Sequence, residues 1–333
     1  MAVSYTHLRD YLLNADERAV HRAYPRHMAA GLFTDHRATL KLLAEATLRG
    51  DAVLHWEVRC PHCGHKGPYV DSLSQAKHDH TCAACSGTFV VHLDDEVRVT
   101  FSAHPALRPL GAAAADLAFK QHVAEQFPPT TGQELLTVQA FRDWAQNEPL
   151  PPHESLEVRH IALWFSDLRG STALYARRGD PHAFRLVRQH FDYLFEAIDE
   201  ASGAVVKTLG DSVMATFATG REAMQGALIG HRAMAAFNQR FSLEGDDRLA
   251  LKVGVHAGPS IAVTLNERLD YFGQTVNLAA RIAGLSQAGD VTFSQAVCDD
   301  PGVQDLLSAY PVERFEAPVR GLEEPVVVHR LTV

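Results

Sequence analysis

Cys60-Pro-His-Cys63 and Cys82-Ala-Ala-Cys85 are two Cys-x-x-Cys pairs with eighteen residues between them. Two residues between thiolates let a tight knuckle present both sulfurs to one tetrahedral ion, and a second knuckle closes the site. The spacing is that of a zinc ribbon, so Cys60, Cys63, Cys82 and Cys85 are expected to hold one structural Zn²⁺ with no open position for a substrate water. A disulfide switch is the alternative chemistry for the same thiols. Gly64 and Gly87 follow the pairs, where a knuckle calls for permissive backbone. His62, His65, His78, His80 and His92 are near enough in sequence to replace a cysteine, but nineteen histidines in the chain make nearness weak evidence.

Two aspartates raise a different chemistry. In IALWFSDLRGST, residues 161–172, an apolar run ends at Asp167 and passes into Arg169, Gly170, Ser171 and Thr172. Asp211 lies in Gly210-Asp211, between AVVKTL and SVMATF. Either acid alone is an ordinary turn former. Two acids on adjacent strand ends would make an oxygen site for Mg²⁺, which favours one or two carboxylates plus substrate phosphates.

These residues need rigid mounts, and the apolar pattern supplies them. A strand over 158–166 leads to Asp167. Asp180 and Pro181 open a helix whose apolar face is Phe184, Val187, Phe191, Leu194 and Ile198, stopped at Gly203. AVVKTL and SVMATF read as a hairpin, a helix covers 221–240, and LALKVGVHAG alternates as a strand. A helix begins near Thr275, and VTFSQ and EEPVVVHRL are late strands. The order β-α-β-β-α-β predicts an α/β (α+β) domain with a ferredoxin-like core over residues 156–333. Residues 1–105 are expected to be a smaller helical and zinc-ribbon domain. Residues 106–155 read as a linker, in which Leu135, Val138, Phe141 and Trp144 predict one amphipathic helix, either coupling the domains or packed on its own.

Bulk properties exclude some partners. The 333 residues carry 31 basic and 40 acidic side chains, a net charge of −9, which argues against nucleic acid or an anionic membrane as the main partner. No window approaches 18 consecutive apolar residues and the N-terminus has no signal-peptide core, so a soluble cytoplasmic protein is expected.

The stretches WFSDLRGST, VVKTLGDSVMATF and RLDYFGQTVNLAARI resemble the catalytic domain of class III adenylate/guanylate cyclases over residues 156–333, including the closing VRGLEEPVVVHRL. The N-terminal region resembles an uncharacterised domain found ahead of bacterial cyclases. The resemblance implies that Asp167 and Asp211, with the backbone carbonyl of Leu168, hold two Mg²⁺ or Mn²⁺ ions per active site. It implies that Lys207 and Asp270 select the purine, and that Asn277 and Arg281 orient the ribose and stabilise the transition state. Gly170, Ser171 and Thr172, opening a helix, would offer backbone N–H groups to the triphosphate. Arg320 would add a phosphate contact, or be a plain surface arginine.

The implied reaction is attack of the ribose 3′-oxygen on the α-phosphorus with loss of pyrophosphate. A lysine only donates and an ionised aspartate only accepts, which complements adenine's N1 and exocyclic amine and opposes guanine's. ATP is the expected substrate, with guanylate or dual activity as the alternative and a catalytically silent nucleotide-binding module as a third reading. In the family the metal aspartates and the Asn/Arg pair come from different subunits. One chain carries both halves here, so a homodimer with sites at the interface is implied, alongside an unidentified regulatory ligand or protein at the N-terminal domain. AGPSIAVTLNERLDYFG is less glycine-rich than the family's usual arm between two strands, which leaves the arm's shape open.

Overall fold

The computed structural model describes residues 3–70, 72–75, 79–144, 150–151 and 154–333. The chain forms two compact units. The first comprises Met1–Val158 and Ile261–Asp270, the second Arg159–Ser260 and Tyr271–Val333. No helix among the described residues is long and apolar enough to cross a membrane.

The first unit opens with helices α1 (Tyr5–Asn14), α2 (Pro25–Gly31) and α3 (His36–Arg49). Asp35 caps α3 by accepting from the Ala38 N–H at 2.8 Å. The strands β1 (Ala52–Arg59), β2 (Lys66–Val70), β3 (Asp79–Thr81), β4 (Thr88–Val90) and β5 (Val97–Ala103) follow. Helix α4 (Leu117–Gln126), the two-residue strand β6 (Thr130–Thr131) and helices α5 (Gly132–Leu136) and α6 (Gln139–Trp144) come next. One sheet has the order β2-β1-β5-β6, and β3 and β4 form a separate ribbon. Trp56 on β1 is fully buried and meets Phe141 of α6 edge-on at 5.9 Å.

The single amphipathic helix expected around Leu135–Trp144 is two short ones. A capping box between Thr131 and Glu134 starts α5. Thr137 stops it: its hydroxyl donates back to the Glu134 carbonyl at 2.8 Å, and its own carbonyl accepts from Arg37 at 2.5 Å. Arg37 lies a hundred residues upstream, so the break comes from a tertiary partner. Leu135, Leu136, Val138 and Phe141 are buried within this unit.

The second unit carries β7 (Leu156–Arg169, entering it at Arg159), α7 (Ser171–Arg178), α8 (Asp180–Glu200), β8 (Ala204–Leu209) and β9 (Ser212–Phe217). Then come α9 (Gly220–Arg240), β10 (Ala250–Leu265), β11 (Arg268–Phe272) and α10 (Gln274–Ala283). The chain closes with β12 (Asp290–Ser294), α11 (Gln295–Cys298), α12 (Val303–Leu307), β13 (Val312–Ala317) and β14 (Val326–Thr332). The sheet order is β13-β14-β12-β10-β7-β9-β8. Its β10-β7-β9-β8 part, with β7–β9 and β8–β9 antiparallel, is the strand order of a ferredoxin-like βαββαβ core. Strand β12 extends it parallel to β10.

The unit's core gathers Trp164 of β7, stacked on Phe217 of β9 at 5.9 Å, with Phe191 and Leu194 of α8 and Phe237 of α9. Two details depart from expectation. Asp180 is the first residue of α8 and Gly179 occupies the cap. Phe184 points outward, 56% exposed, because Ala183, Leu186 and Val187 fill the buried stripe. Strand β13, mostly exposed, has no apolar alternation to betray it.

Candidate functional site

Strand β7 runs buried from Ile161 to Ser166 and brings Asp167 to its end half-buried. The pairing of Ser166 with Val213 sets Asp167 across from Ser212, whose hydroxyl donates to Asp167 Oδ1 at 3.0 Å. Asp211 is the next residue, in a two-residue turn closed by the Leu209–Ser212 pair. Gly210 takes φ 65° in that turn, the left-handed conformation such hairpins demand. The two carboxylates therefore sit on neighbouring strand ends. Behind Asp167, Gly170 at φ 93° reverses the chain into α7. The Leu174 N–H reaches back to the Gly170 carbonyl at 2.9 Å, so the N–H groups of Ser171, Thr172 and Ala173 begin the helix without intrahelical acceptors. The Ser171 hydroxyl donates to the Leu168 carbonyl at 3.2 Å, leaving that oxygen a second lone pair. Two carboxylates, a carbonyl and a helix N-terminus suit hard cations bound together with phosphate oxygens.

Sequence reasoning missed His190. It is fully buried on α8 and its ring bonds the Val187 carbonyl. Burial pushes its pKa down to about 4, against the opposing pull of the Asp211 carboxylate and backbone. A neutral imidazole thus backs the Asp211 turn. Its place three residues after Val187 and one before Phe191, on the stripe already recognised, was the available signal.

Asn277 and Arg281 lie four residues apart on the exposed face of α10. Thr275, Ala279, Ile282 and Ala283 anchor the opposite face. The backbone of Ala283 presses on Gly254 of β10, where a Cβ would come within 2.1 Å of its nitrogen. The Arg281 guanidinium lies beside Gly321, 3.2 Å from where a Cβ would stand, which brings the Arg320 turn to it. In one chain α10 packs over β10 and β12, on the side of β7 away from β9 and β8. Strands about 4.8 Å apart separate it from the Asp211 turn.

Lys207 is half-buried on β8, opposite Met214, beside a bulge that follows Val205. Asp270 belongs to the first unit, where it is 7% exposed. Its position comes from the β10–β11 hairpin, whose turn residues Asn266 and Glu267 have φ of 50° and 62°. The tip is fastened within the first unit: Arg142 donates to the Leu269 carbonyl at 2.7 Å, and the Leu150 N–H to the Thr264 hydroxyl at 2.8 Å. The arm left open by its lack of glycine is thus a tight hairpin.

A separate constellation lies in the first unit. The sulfurs of Cys60, Cys63, Cys82 and Cys85 lie within 4.8 Å of one another. Cys60 and Cys85 are 3.7 Å apart, and Cys63 and Cys82 3.6 Å. A tetrahedral ion with bonds of about 2.3 Å to sulfur needs edges of about 3.8 Å, so the four donors fit one metal ion. Each knuckle repeats the same bonds: the Gly64 N–H to the Cys60 carbonyl and the Ser86 N–H to the Cys82 carbonyl, both at 2.9 Å. The left-handed residue is Gly64 (φ 70°) in the first knuckle but Ser86 (φ 58°) in the second. Gly87 serves instead to admit the His62 ring, 2.8 Å from a would-be Cβ. Backbone N–H groups of Cys85 and Ala84 draw the Cys82 thiol down to about 6. Among the described residues no histidine joins this cluster. His92 bonds Glu96 instead, and His78 lies outside the described residues.

A family model described as the adenylate and guanylate cyclase catalytic domain matches residues 154–323, and the chain belongs to that family. A second model, a family of unknown function (DUF5939), matches residues 7–136. An adenylate cyclase of Anabaena cylindrica is 27% identical over 195 residues, covering 54% of this chain and 39% of that protein. The match therefore spans well under half of that relative's length. Among solved structures, the adenylyl cyclase CyaB of P. aeruginosa is 20% identical with a TM-score of 0.47, covering 54% of this chain and 96% of that one. The guanylyl cyclase Cya2 is 21% identical with a TM-score of 0.44, covering 52% and 91%.

Proposed function

We propose that this chain is an adenylate cyclase, converting ATP to 3′,5′-cyclic AMP and pyrophosphate as a cytoplasmic homodimer. The observation that carries the reading is the convergence of Asp167, the Asp211 turn and the N-terminus of α7 at one sheet edge. Asp167, Asp211 and the Leu168 carbonyl would hold two Mg²⁺ or Mn²⁺ ions, whose charge neutralises the triphosphate and acidifies the ribose 3′-hydroxyl. The N–H groups at Gly170, Ser171 and Thr172 take phosphate oxygens as the dipole of α7 favours. Ser212 fixes the Asp167 carboxylate, and His190 packs behind the Asp211 turn.

Asn277 and Arg281 face outward, which suits delivery to the carboxylates of a second copy. Asn277 orients the ribose, and Arg281 meets the developing phosphate charge with a planar fork. Lys207 and Asp270 present one donor and one acceptor to the purine, matched to adenine. The four cysteines would hold one Zn²⁺ between the two knuckles, and the N-terminal region would regulate the cyclase domain that follows it.

The test is cyclic nucleotide formation by the full chain with Mg²⁺ or Mn²⁺, offered ATP and GTP separately. ATP should be preferred, and Asp167→Ala and Asn277→Ala should each abolish product. A GTP preference would overturn the assignment of Lys207 and Asp270 alone. No product with either nucleotide or metal would overturn the enzyme.

A further inference from the structure

Arg142 stands between the two matched segments, after residue 136 and before residue 154, so neither family model accounts for it. It is the fourth residue of α6 and is buried, 6% exposed. The helix beneath it is held in place. Phe141 packs on Trp56 of β1. Arg37 donates to both the hydroxyl and the carbonyl of Thr137, ahead of α6, at 2.8 and 2.5 Å. The Arg142 guanidinium thus starts from a fixed point.

It reaches 127 residues along the chain, where Nη2 donates to the Leu269 carbonyl at 2.7 Å. That is the length of a charge-assisted bond. Burying a guanidinium is costly unless its N–H groups find acceptors, and here one acceptor is main chain on β11.

The oxygen it takes has a geometric consequence. The Leu269 carbonyl and the Asp270 N–H belong to one planar peptide unit, which ends at the Asp270 Cα. Holding the oxygen holds the plane, and the plane sets the direction in which the Asp270 side chain leaves β11. Leu269 and Asp270 are each 7% exposed, so little water competes for this peptide. A hydrogen bond in such surroundings is stronger than one at the surface. The neighbouring strand is tied as well, through the Leu150 N–H on the Thr264 hydroxyl of β10. Arg142 and Leu150 therefore hold one strand each of the same hairpin.

A carboxylate that distinguishes adenine from guanine does so by offering an acceptor in one direction. Such a group has to be held to within about 0.5 Å and 10–20° by its neighbours. We propose that Arg142 is a positioning residue for base choice, holding the Leu269–Asp270 peptide so that the Asp270 carboxylate meets the amine of adenine. The proposal rests on the reading that Lys207 and Asp270 take the purine. It gives a residue outside the matched catalytic segment a part in substrate selection.

The test is the ratio of kcat/KM for Mn-ATP to kcat/KM for Mn-GTP, both measured on one sample of the full chain. A loss of folded protein lowers both rates together and leaves the ratio alone. Arg142→Met, long and without a donor, should lower the ratio about tenfold, the contribution of one hydrogen bond. Arg142→Gln, too short to reach Leu269, carries the same expectation if the apolar variant does not fold. Arg142→Lys keeps a cationic donor and should hold the ratio within about threefold of wild type. Asp270→Ala should lower the ratio at least as far as Arg142→Met. Adding Arg142→Met to Asp270→Ala should change it no further, because Arg142 acts through Asp270. Rates on ATP and GTP that fall together in Arg142→Met, while Asp270→Ala still shifts the ratio, make Arg142 a structural residue only and overturn the proposal. A further drop in the double variant also overturns it. A ratio unmoved by Asp270→Ala refutes instead the assignment of Asp270 to the base, and the proposal falls with it.

Discussion

Replacing Gly254 by alanine should damage catalysis without touching any group that meets substrate. A Cβ at Gly254 would stand 2.1 Å from Ala283 N and 2.2 Å from its Cα, both backbone atoms that cannot rotate aside. Ordinary contact begins at 3.4 Å, so the end of α10 must withdraw from β10 by about 1.3 Å. That helix presents Asn277 and Arg281 on its outer face. A displacement of about 1 Å in a positioning group costs about 10²-fold in rate. Overpacking of this kind costs about 1–3 kcal/mol, a fall of about 5 °C in melting temperature for a body this size. The assay is cyclic AMP formation at saturating Mn-ATP, with zinc content measured on the same sample. The rate constant should drop about 100-fold while zinc stays at one per chain. A Gly254→Ala protein that melts like wild type and keeps its rate within about threefold would refute the claim that β10 sets the position of α10.

Other outcomes follow from the same geometry. Asp167→Ala and Asn277→Ala, each inactive alone, should regain up to about a quarter of wild-type activity when mixed, because half the dimers are mixed and each has one intact site. Mixtures that stay inactive although subunits exchange would mean that each site is built within one chain. Cys82→Ser should lose the metal and loosen the ribbon around β3 and β4, read as zinc content and as protease cutting near residues 60–90; unchanged zinc would sink the four-cysteine assignment. His190 and His256 are both held down to about 4 by burial. Lowered histidine pKa values mean that the unfolded chain binds the extra protons, so stability is full above about pH 6.5 and falls toward pH 4. The slope approaches about 1.4 kcal/mol per pH unit for each histidine. His190→Gln should flatten that slope, measured by denaturant unfolding at several pH values, and an unchanged slope would show that His190 is not protected.

Local chemistry was legible and long-range chemistry was not. Asp167 and Asp211 announce themselves because strand ends and glycine turns are written in consecutive residues, and the hairpin turn then brings the pair together. The cysteine spacing is equally local. Thr137 ends α5 through Arg37, and no periodicity within 134–147 could reveal that. Phe184 fits a helical stripe by spacing, yet Ala183 takes the buried place. Ser86 holds a left-handed position usually given to glycine because the Cys82 carbonyl fixes its N–H.

The β10–β11 hairpin has a practical consequence. Residues 261–270 belong to one body while the chain on either side belongs to the other, so the polypeptide passes between the bodies three times. No single cut separates them. A fragment starting near residue 156 would carry the hairpin tip away from Arg142 and Leu150, leaving Leu269 and Thr264 without their donors. Such a fragment measures the loss of a buttress as well as the loss of the rest of the N-terminal unit. A point change at Arg142 isolates the buttress from the rest, and exchanging whole N-terminal regions between relatives would need to carry the hairpin with them.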